Sequence, residues 1–534
     1  MIYNTKKHKT NIHKTKKHKT NSNNICELSS NILKHNTTHL QYNNYKEHIK
    51  LLSHSFTNSI NLLPLLNEIF RIKNNINFII SVKKQPLDEY TKIPPFIEIF
   101  KYLIMQNDFK QNFTSDELTD LTKYIIIKNK TSNKVSLYKF LSKSPLGKKL
   151  SSLYYNLDNL IKSELIIKYP SILFHSLLIN SYTSFEIIED LDVNIKNLYT
   201  FSIIWKGKQI NNFLYLFMYK NKNDNKSKLE YIKYIKTIKT IGNEIIKRIL
   251  FFNNFLGIDK LPEKFIVFLT NNKKEIDEDV VSQMHFKTLN INSAVTNGTD
   301  IIIYRQEELL KSIFHELIHF HNLDFRHIPN KFLDYLKTTH NIKSDNEYTL
   351  FECVTESLAN ILNNIFLSKD IKSFATNLEH ELMFSTLQVA KILSICNYKN
   401  WNEFAIVTSG SGSDSSNIKH NIQKQFKQDS CVFSYYILKF YIMLNLEYYF
   451  NNCLDTKLKF IKTESSFNAL IALFDTSKNN LFLKDLMNSI LNNKINKLLN
   501  NKTHKKMHTN KNNNNQKHII SKSLRMTCME NNIF

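Results

Sequence analysis

Glycine and proline are scarce, with 7 and 8 in 534 residues. So few turn-formers argue against a sandwich of many tight turns and favour long helices. Cysteine is thin as well, and Cys26, Cys353, Cys396, Cys431, Cys453 and Cys528 form no CxxC pair. That argues against a disulfide framework and a thiolate zinc ribbon, and fits a reducing compartment. The basic start MIYNTKKHKTN is followed by no apolar stretch, so no secretory signal is read there. The most apolar window, CVFSYYILKFYIMLNLEYYF from Cys431, is interrupted by Lys439, Asn445 and Glu447. It reads as buried helix, with no membrane span. The expected setting is soluble, intracellular and cytoplasmic.

Hydrophobic residues make up 42% of the chain and aromatics 12%, enough for a sizeable core. The length suggests two or three folded units plus tails. Abundant Asn, Lys and Ile is the bias of an AT-rich gene. The formal charge is +25, and residues 1–50 and 494–534 each carry +8 of it, which leaves +9 for the body. TKKHKTN occurs at Thr5–Asn11 and again at Thr15–Asn21, and NKTHKKMHTNKNNNNQKH closes the other end. Neither has apolar periodicity to offset the entropy of ordering, so residues 1–45 and 491–534 are expected to be disordered basic tails. Their first reading is a solubilising extension; their second is weak contact with nucleic acid or an acidic surface.

The body divides by pattern into a helical N-terminal domain over 46–194 and a second domain over 195–490. LYTFSIIW and NFLYLFMYK from Leu198 read as a hairpin, and a long helix follows through LEYIKYIKTIKTIGNEIIKRILFF. EKFIVFLT, MHFKTLNINSAV and TDIIIYR read as further strands, and the rest to about Leu499 as helix, apart from the insert TSGSGSDSSN at Thr408–Asn417. The expected class is α+β, predominantly helical.

One stretch carries chemistry: SIFHELIHFHNLDF from Ser312. On a helix over about 306–321, His315 and His319 lie four apart on one face and can aim at one ion, while Glu316 reaches a metal-bound water. Leu310, Ile313, Phe314, Leu317 and Phe320 form an apolar stripe that leaves the histidines off it, and Gln306, Glu307 and Glu308 suit the helix start. Zinc is the expected cofactor: imidazole suits it, and it activates water near neutral pH, with Glu316 as general base. A random chain of this composition shows HExxH roughly once in thirty trials, so a third ligand must be found.

A histidine six residues beyond His319 would serve after a glycine, but Asn322 and Phe325 hold those places. His321, Asp324 and His327 are nearby with the wrong spacing. NEYTLFECVTESLANILNNIF offers Glu352 and Glu356 on one helix face. Glu356 is preferred, because Asn360 lies one turn on and can accept the second ring N–H of a ligating histidine. Glu352 stays open as alternate ligand or as a supporting group.

HELIH followed by ESLAN resembles the gluzincin branch of the HExxH zinc metallopeptidases, with Asn360 where that branch carries Asp. NINSAVTNGTDIIIYRQEELLKSIFHELIHF is similar to zinc metalloproteinases encoded by large DNA viruses, and the resemblance spans roughly Glu263 to Tyr449. It implies a zincin-like catalytic domain, with a small sheet over an active-site helix, that hydrolyses a polypeptide or peptide substrate. It implies TDIIIYR as the edge strand over the cleft, and Tyr435 or Tyr436, with His420 behind them, as stabiliser of the oxyanion. Both tyrosines also read as an aromatic core face. A viral source would add association with the virion. Two other readings stand beside this one: a catalytically silent zincin-like structural or assembly protein, and a basic-tailed nucleic-acid-associated protein.

Overall fold

The computed structural model of the chain describes residues 21–85, 111–120, 195–219, 228–340 apart from 297, 326 and 327, 349–405, 427–492 and 522–530, with isolated positions between 145 and 187. Most of the region 86–194, the insert at 408–417 and His420 lie outside the described residues.

The expected hairpin forms strands β2 (Ile195–Trp205) and β3 (Lys208–Tyr219). Lys206 and Gly207 turn it with φ of 49° and 73°. Both are left-handed, which matches the twist of the flanking strands, and Gly207 takes that conformation without a Cβ penalty. Strand β1 (Ile79–Gln85) adds antiparallel to β2. Strand β4 (Phe265–Leu269) runs parallel to β3 on the other side. The short β5 (Ala294–Thr296) and β6 (Ile301–Ile303) complete the sheet in the order β1-β2-β3-β4-β6-β5.

TDIIIYR therefore supplies β6, one strand in from the edge, and the edge expected there is formed by β5. MHFKTLNINSAV is likewise not one strand: Thr288–Ile291 turns helically before β5. Asn290 accounts for the break, since its side chain accepts from the Lys287 amide and donates to the Glu275 carbonyl. Such local bonds compete with a strand ladder.

Before β1, the chain forms helices α1 (Asn21–His35), α2 (His39–Asn58) and α3 (Leu63–Asn74). The long α4 (Lys228–Leu256) crosses the sheet with Ile238, Ile241, Ile245 and Ile249 buried. Gly242 sits against Phe201 of β2, where an added Cβ would come within 2.0 Å of the ring. The helical layer contains α5 (Leu309–Phe320), α6 (Asn330–Thr339), α7 (Phe351–Leu367) and α8 (Ile371–Ile395). A π-helical turn over Phe433–Leu438 runs into α9 (Lys439–Leu444), followed by α10 (Leu446–Cys453), α11 (Glu464–Lys478) and α12 (Leu481–Asn492). The α+β, mostly helical expectation holds at this level. Among the described residues no helix is long and apolar enough to cross a membrane.

Three expected boundaries change. The first tail was expected to reach residue 45 and to precede a separate domain, yet α1 and α2 belong to the common core. Phe56 packs edge-on against Phe374 of α8 and Phe450 of α10, and the Tyr45 hydroxyl lies 2.5 Å from that of Thr386. Tyr42, Tyr45, Ile49 and Phe56 make an apolar face that only this packing removes from water. The division expected at 194/195 is absent among the described residues, because β1 pairs with β2 across it. At the other end, Lys522–Glu530 are not a loose tail: Ser523, Leu524 and Met526 to Met529 are buried. Composition hid this, since the segment has no periodicity of its own and is held by side chains from elsewhere.

Candidate metal centre

Helix α5 begins at Leu309, later than expected, because Glu308 takes a left-handed conformation (φ 59°, ψ 20°) and breaks the spiral before it. From there the stripe behaves as read. Leu310, Ile313, Phe314, Leu317 and Phe320 are buried, and the histidine face turns to a cleft between β5, α5, α7 and the π-helical turn. The cleft holds about 350 Å³ and is lined by His315, Glu316, His319, Glu352 and Tyr435, with Ala294–Thr296 along one rim.

His315, His319 and Glu352 converge, and their candidate ligand atoms all lie within 4.8 Å of one another. The two Nε2 atoms are 3.2 Å apart and stand 3.2 and 3.4 Å from Glu352 Oε2. The opposite ring nitrogens are already taken. His315 Nδ1 faces Glu356 Oε2 at 3.0 Å, and His319 Nδ1 faces Asp324 Oδ2 at 2.6 Å. A carboxylate acceptor fixes the ring proton on Nδ1, which leaves the Nε2 lone pair for a metal. Among the described residues no donor is aligned with the buried Glu352 Oε2. Two imidazole lone pairs and an orphaned carboxylate oxygen aimed at one point make a site that a cation satisfies.

The preference for Glu356 as third ligand is corrected by this geometry. Lys311 Nζ lies 2.8 and 2.9 Å from its two oxygens, and His315 takes one of them as well. Glu356 sits one turn beyond Glu352 and meets the back of the His315 ring. Asn360, expected to hold that ring, instead donates its amide to the Met526 carbonyl. The supporting role given to Asn360 therefore falls to Glu356 itself, and Asp324, set aside for its spacing, does the same for His319.

Charge follows the contacts. Burial alone would lower both histidines, but the carboxylates of Glu352 and Glu356 raise His315, and those of Glu352 and Asp324 raise His319 well above its ordinary value. Burial opposes ionisation of Glu356, yet Lys311 and His315 hold its carboxyl down to about 2. In the same way His319 and His315 hold Glu352 below the usual carboxylate range despite burial. An acidic site of this kind attracts a cation.

Glu316 lines the cleft, and Thr296 of β5 donates its hydroxyl to Glu316 Oε2 at 2.6 Å. Of the two tyrosines, Tyr435 lines the cleft with its ring 5.9 Å from that of His315. Burial pushes its hydroxyl well above the ordinary value, so it remains a donor. Tyr436 is not at the cleft, and its hydroxyl donates to the Leu524 carbonyl. The two are consecutive on the π-helical turn, so their side chains leave it in different directions.

Sequence reasoning missed the working roles of Thr296, Lys311, Asp324 and Met526. Lys311 had a signal, lying four residues before His315 and so on its face. Asp324 stands just past the helix end, where its reach to His319 depends on the turn after Phe320. Nothing in the sequence marked Thr296 or Met526. Compared with protein-family models, with curated proteins and with solved structures, the chain matches none.

Proposed function

We propose that this chain is a zinc-dependent metallopeptidase that hydrolyses peptide bonds without a covalent intermediate. The observation that carries the reading is the convergence of His315 Nε2, His319 Nε2 and Glu352 Oε2, with each Nδ1 already held by a carboxylate and Glu316 beside them. Two imidazoles and one carboxylate are a donor set that zinc accepts while keeping a fourth position open. Zinc, when bound, polarises a carbonyl and makes water acidic enough to attack near neutral pH.

The chain's own residues supply the rest. Glu316 takes the proton of the attacking water and passes it to the leaving amine, and Thr296 fixes the orientation of that carboxylate. Tyr435 donates its hydroxyl to the developing oxyanion. Ala294–Thr296, the edge strand of the sheet among the described residues, runs along the rim, and an extended peptide adds to it as a further strand.

The test is cleavage of a fluorogenic peptide library by the zinc-loaded chain and by Glu316→Gln. The variant is expected to keep its metal and lose roughly 10²–10⁴-fold in rate. A zinc-loaded chain that cleaves no peptide would refute the peptidase reading.

A further inference from the structure

The carboxy-terminal segment Lys522–Glu530 threads through the molecule as a strap. It enters beside the segment Lys274–Ile276 that follows β4, where the Lys522 carbonyl accepts from the Ile276 amide at 2.7 Å and the Leu524 amide donates to the Lys274 carbonyl at 2.7 Å. Its backbone then meets buried side chains. Glu308 Oε1 accepts from the Met526 and Thr527 amides at 2.6 and 2.7 Å, and Lys439 donates to the Met526 carbonyl at 2.8 Å. Met526 itself forms part of the wall of the metal cleft. Glu308 is also the left-handed residue that starts α5, so the strap braces the helix carrying His315 and His319.

The far end of the strap meets the first helix. Cys528 Sγ lies 2.8 Å from Cys26 Sγ across 502 residues of sequence, closer than two sulfurs rest in van der Waals contact. Both are buried in a small cluster of their own with Phe384 and Met529. Glu381 Oε2 accepts from the Thr527 hydroxyl at 2.7 Å and the Cys528 amide at 3.1 Å, and stands 3.6 Å from Cys528 Sγ. Its other oxygen is buried with no hydrogen-bond partner among the described residues. The geometry thus supplies two facing thiols and a carboxylate able to receive a thiol proton.

We propose that Cys26 and Cys528 are a disulfide-forming pair, oxidised by a low-molecular-weight disulfide such as oxidised glutathione, and that the bond clasps the strap to α1. One cysteine, as thiolate, attacks the glutathione disulfide to give a mixed disulfide and one glutathione thiol. The second cysteine displaces the other glutathione, with Glu381 accepting the proton of Cys528. In all, the pair loses two electrons and two protons, and one oxidised glutathione becomes two reduced ones. Because both sulfurs are buried, exchange proceeds when the end of the strap lifts, and oxidation then holds it down. The pair stands independently of whether the cleft binds metal or cleaves peptides.

The test uses the full chain equilibrated in excess oxidised or excess reduced glutathione, alkylated, and mapped unreduced by mass spectrometry. A peptide containing Cys26 linked to one containing Cys528 is expected, with two thiols per chain lost on oxidation. Cys26→Ala is expected to lose the link and Cys396→Ala to keep it. Hydrogen exchange at the Met526–Met529 amides is expected to be roughly tenfold slower in the oxidised chain, since the clasp removes the local opening that exposes them. An unchanged thiol count, a link between other cysteines, or glutathione adducts in place of a link would overturn the pair. Equal exchange rates in the two states would overturn the clasp. Should Cys26→Ala not fold, the linked peptide of the native chain still identifies the pair directly.

Discussion

Replacing Lys311 by Met tests the assignment of Glu356 as the support of His315. The ammonium lies 2.8 and 2.9 Å from the two Glu356 oxygens, and both side chains are essentially removed from water, at 3% and 0% exposure. At 2.8 Å and an effective dielectric of about 20, the attraction is roughly 6 kcal/mol before desolvation. Breaking a buried pair by removing one partner typically costs about 3–5 kcal/mol, because the remaining charge has lost its compensation. Lys439 also acts on Glu356 and recovers part of that. A loss of about 3 kcal/mol is therefore expected for Lys311→Met. Urea unfolding followed by the fluorescence of the buried Trp401 and Trp205 reads it as a lower midpoint. The double variant Lys311→Met with Glu356→Met is expected to lose much less than the sum of the two single changes. A loss under about 1 kcal/mol for Lys311→Met, or additive single effects, would refute the coupling.

Three further outcomes follow from other parts of the molecule. Asp324→Asn removes the carboxylate 2.6 Å from His319 Nδ1 and is expected to weaken metal affinity about 10–100-fold by competition against a chelator, with no loss of folding by circular dichroism. Gly242→Ala drives a methyl into the Phe201 ring and is expected to destabilise by about 1–3 kcal/mol in the same unfolding assay, whereas Gly257→Ala meets no atom of the described residues within 4 Å and reports only backbone strain. His340 is buried, with its pKa pushed down to about 3 chiefly by burial and then by Lys478. The unfolded chain binds that proton first, so stability falls as pH drops from about 6.5 towards 3, by up to about 1.4 kcal/mol per pH unit. His340→Gln should flatten the slope of urea midpoint against pH.

Much of the site was legible because it sits on one long amphipathic helix. The stripe from Leu310 to Phe320 forces the HELIH face toward whatever the sheet leaves open, and α5 follows it closely. The choice between Glu352 and Glu356 was not legible. Both lie on one face of α7, and what separates them is the position of Lys311 on another helix. The edge strand was missed because β5 has three residues, too few for alternation to show, and follows a helical turn set by Asn290. The carboxy-terminal strap was invisible for a different reason. Its burial depends on acceptors and donors at Glu308, Glu381 and Lys439, over 80 residues away in sequence. Likewise, cysteine spacing says nothing about a pair 502 residues apart.

The most direct test of the proposed metal centre is elemental analysis of the purified chain beside His315→Ala, Glu352→Gln and Glu356→Gln. One zinc per native chain is expected, absent from His315→Ala and Glu352→Gln, and retained with weaker affinity by Glu356→Gln. No zinc after reconstitution, or zinc kept by Glu352→Gln and lost from Glu356→Gln, would contradict it.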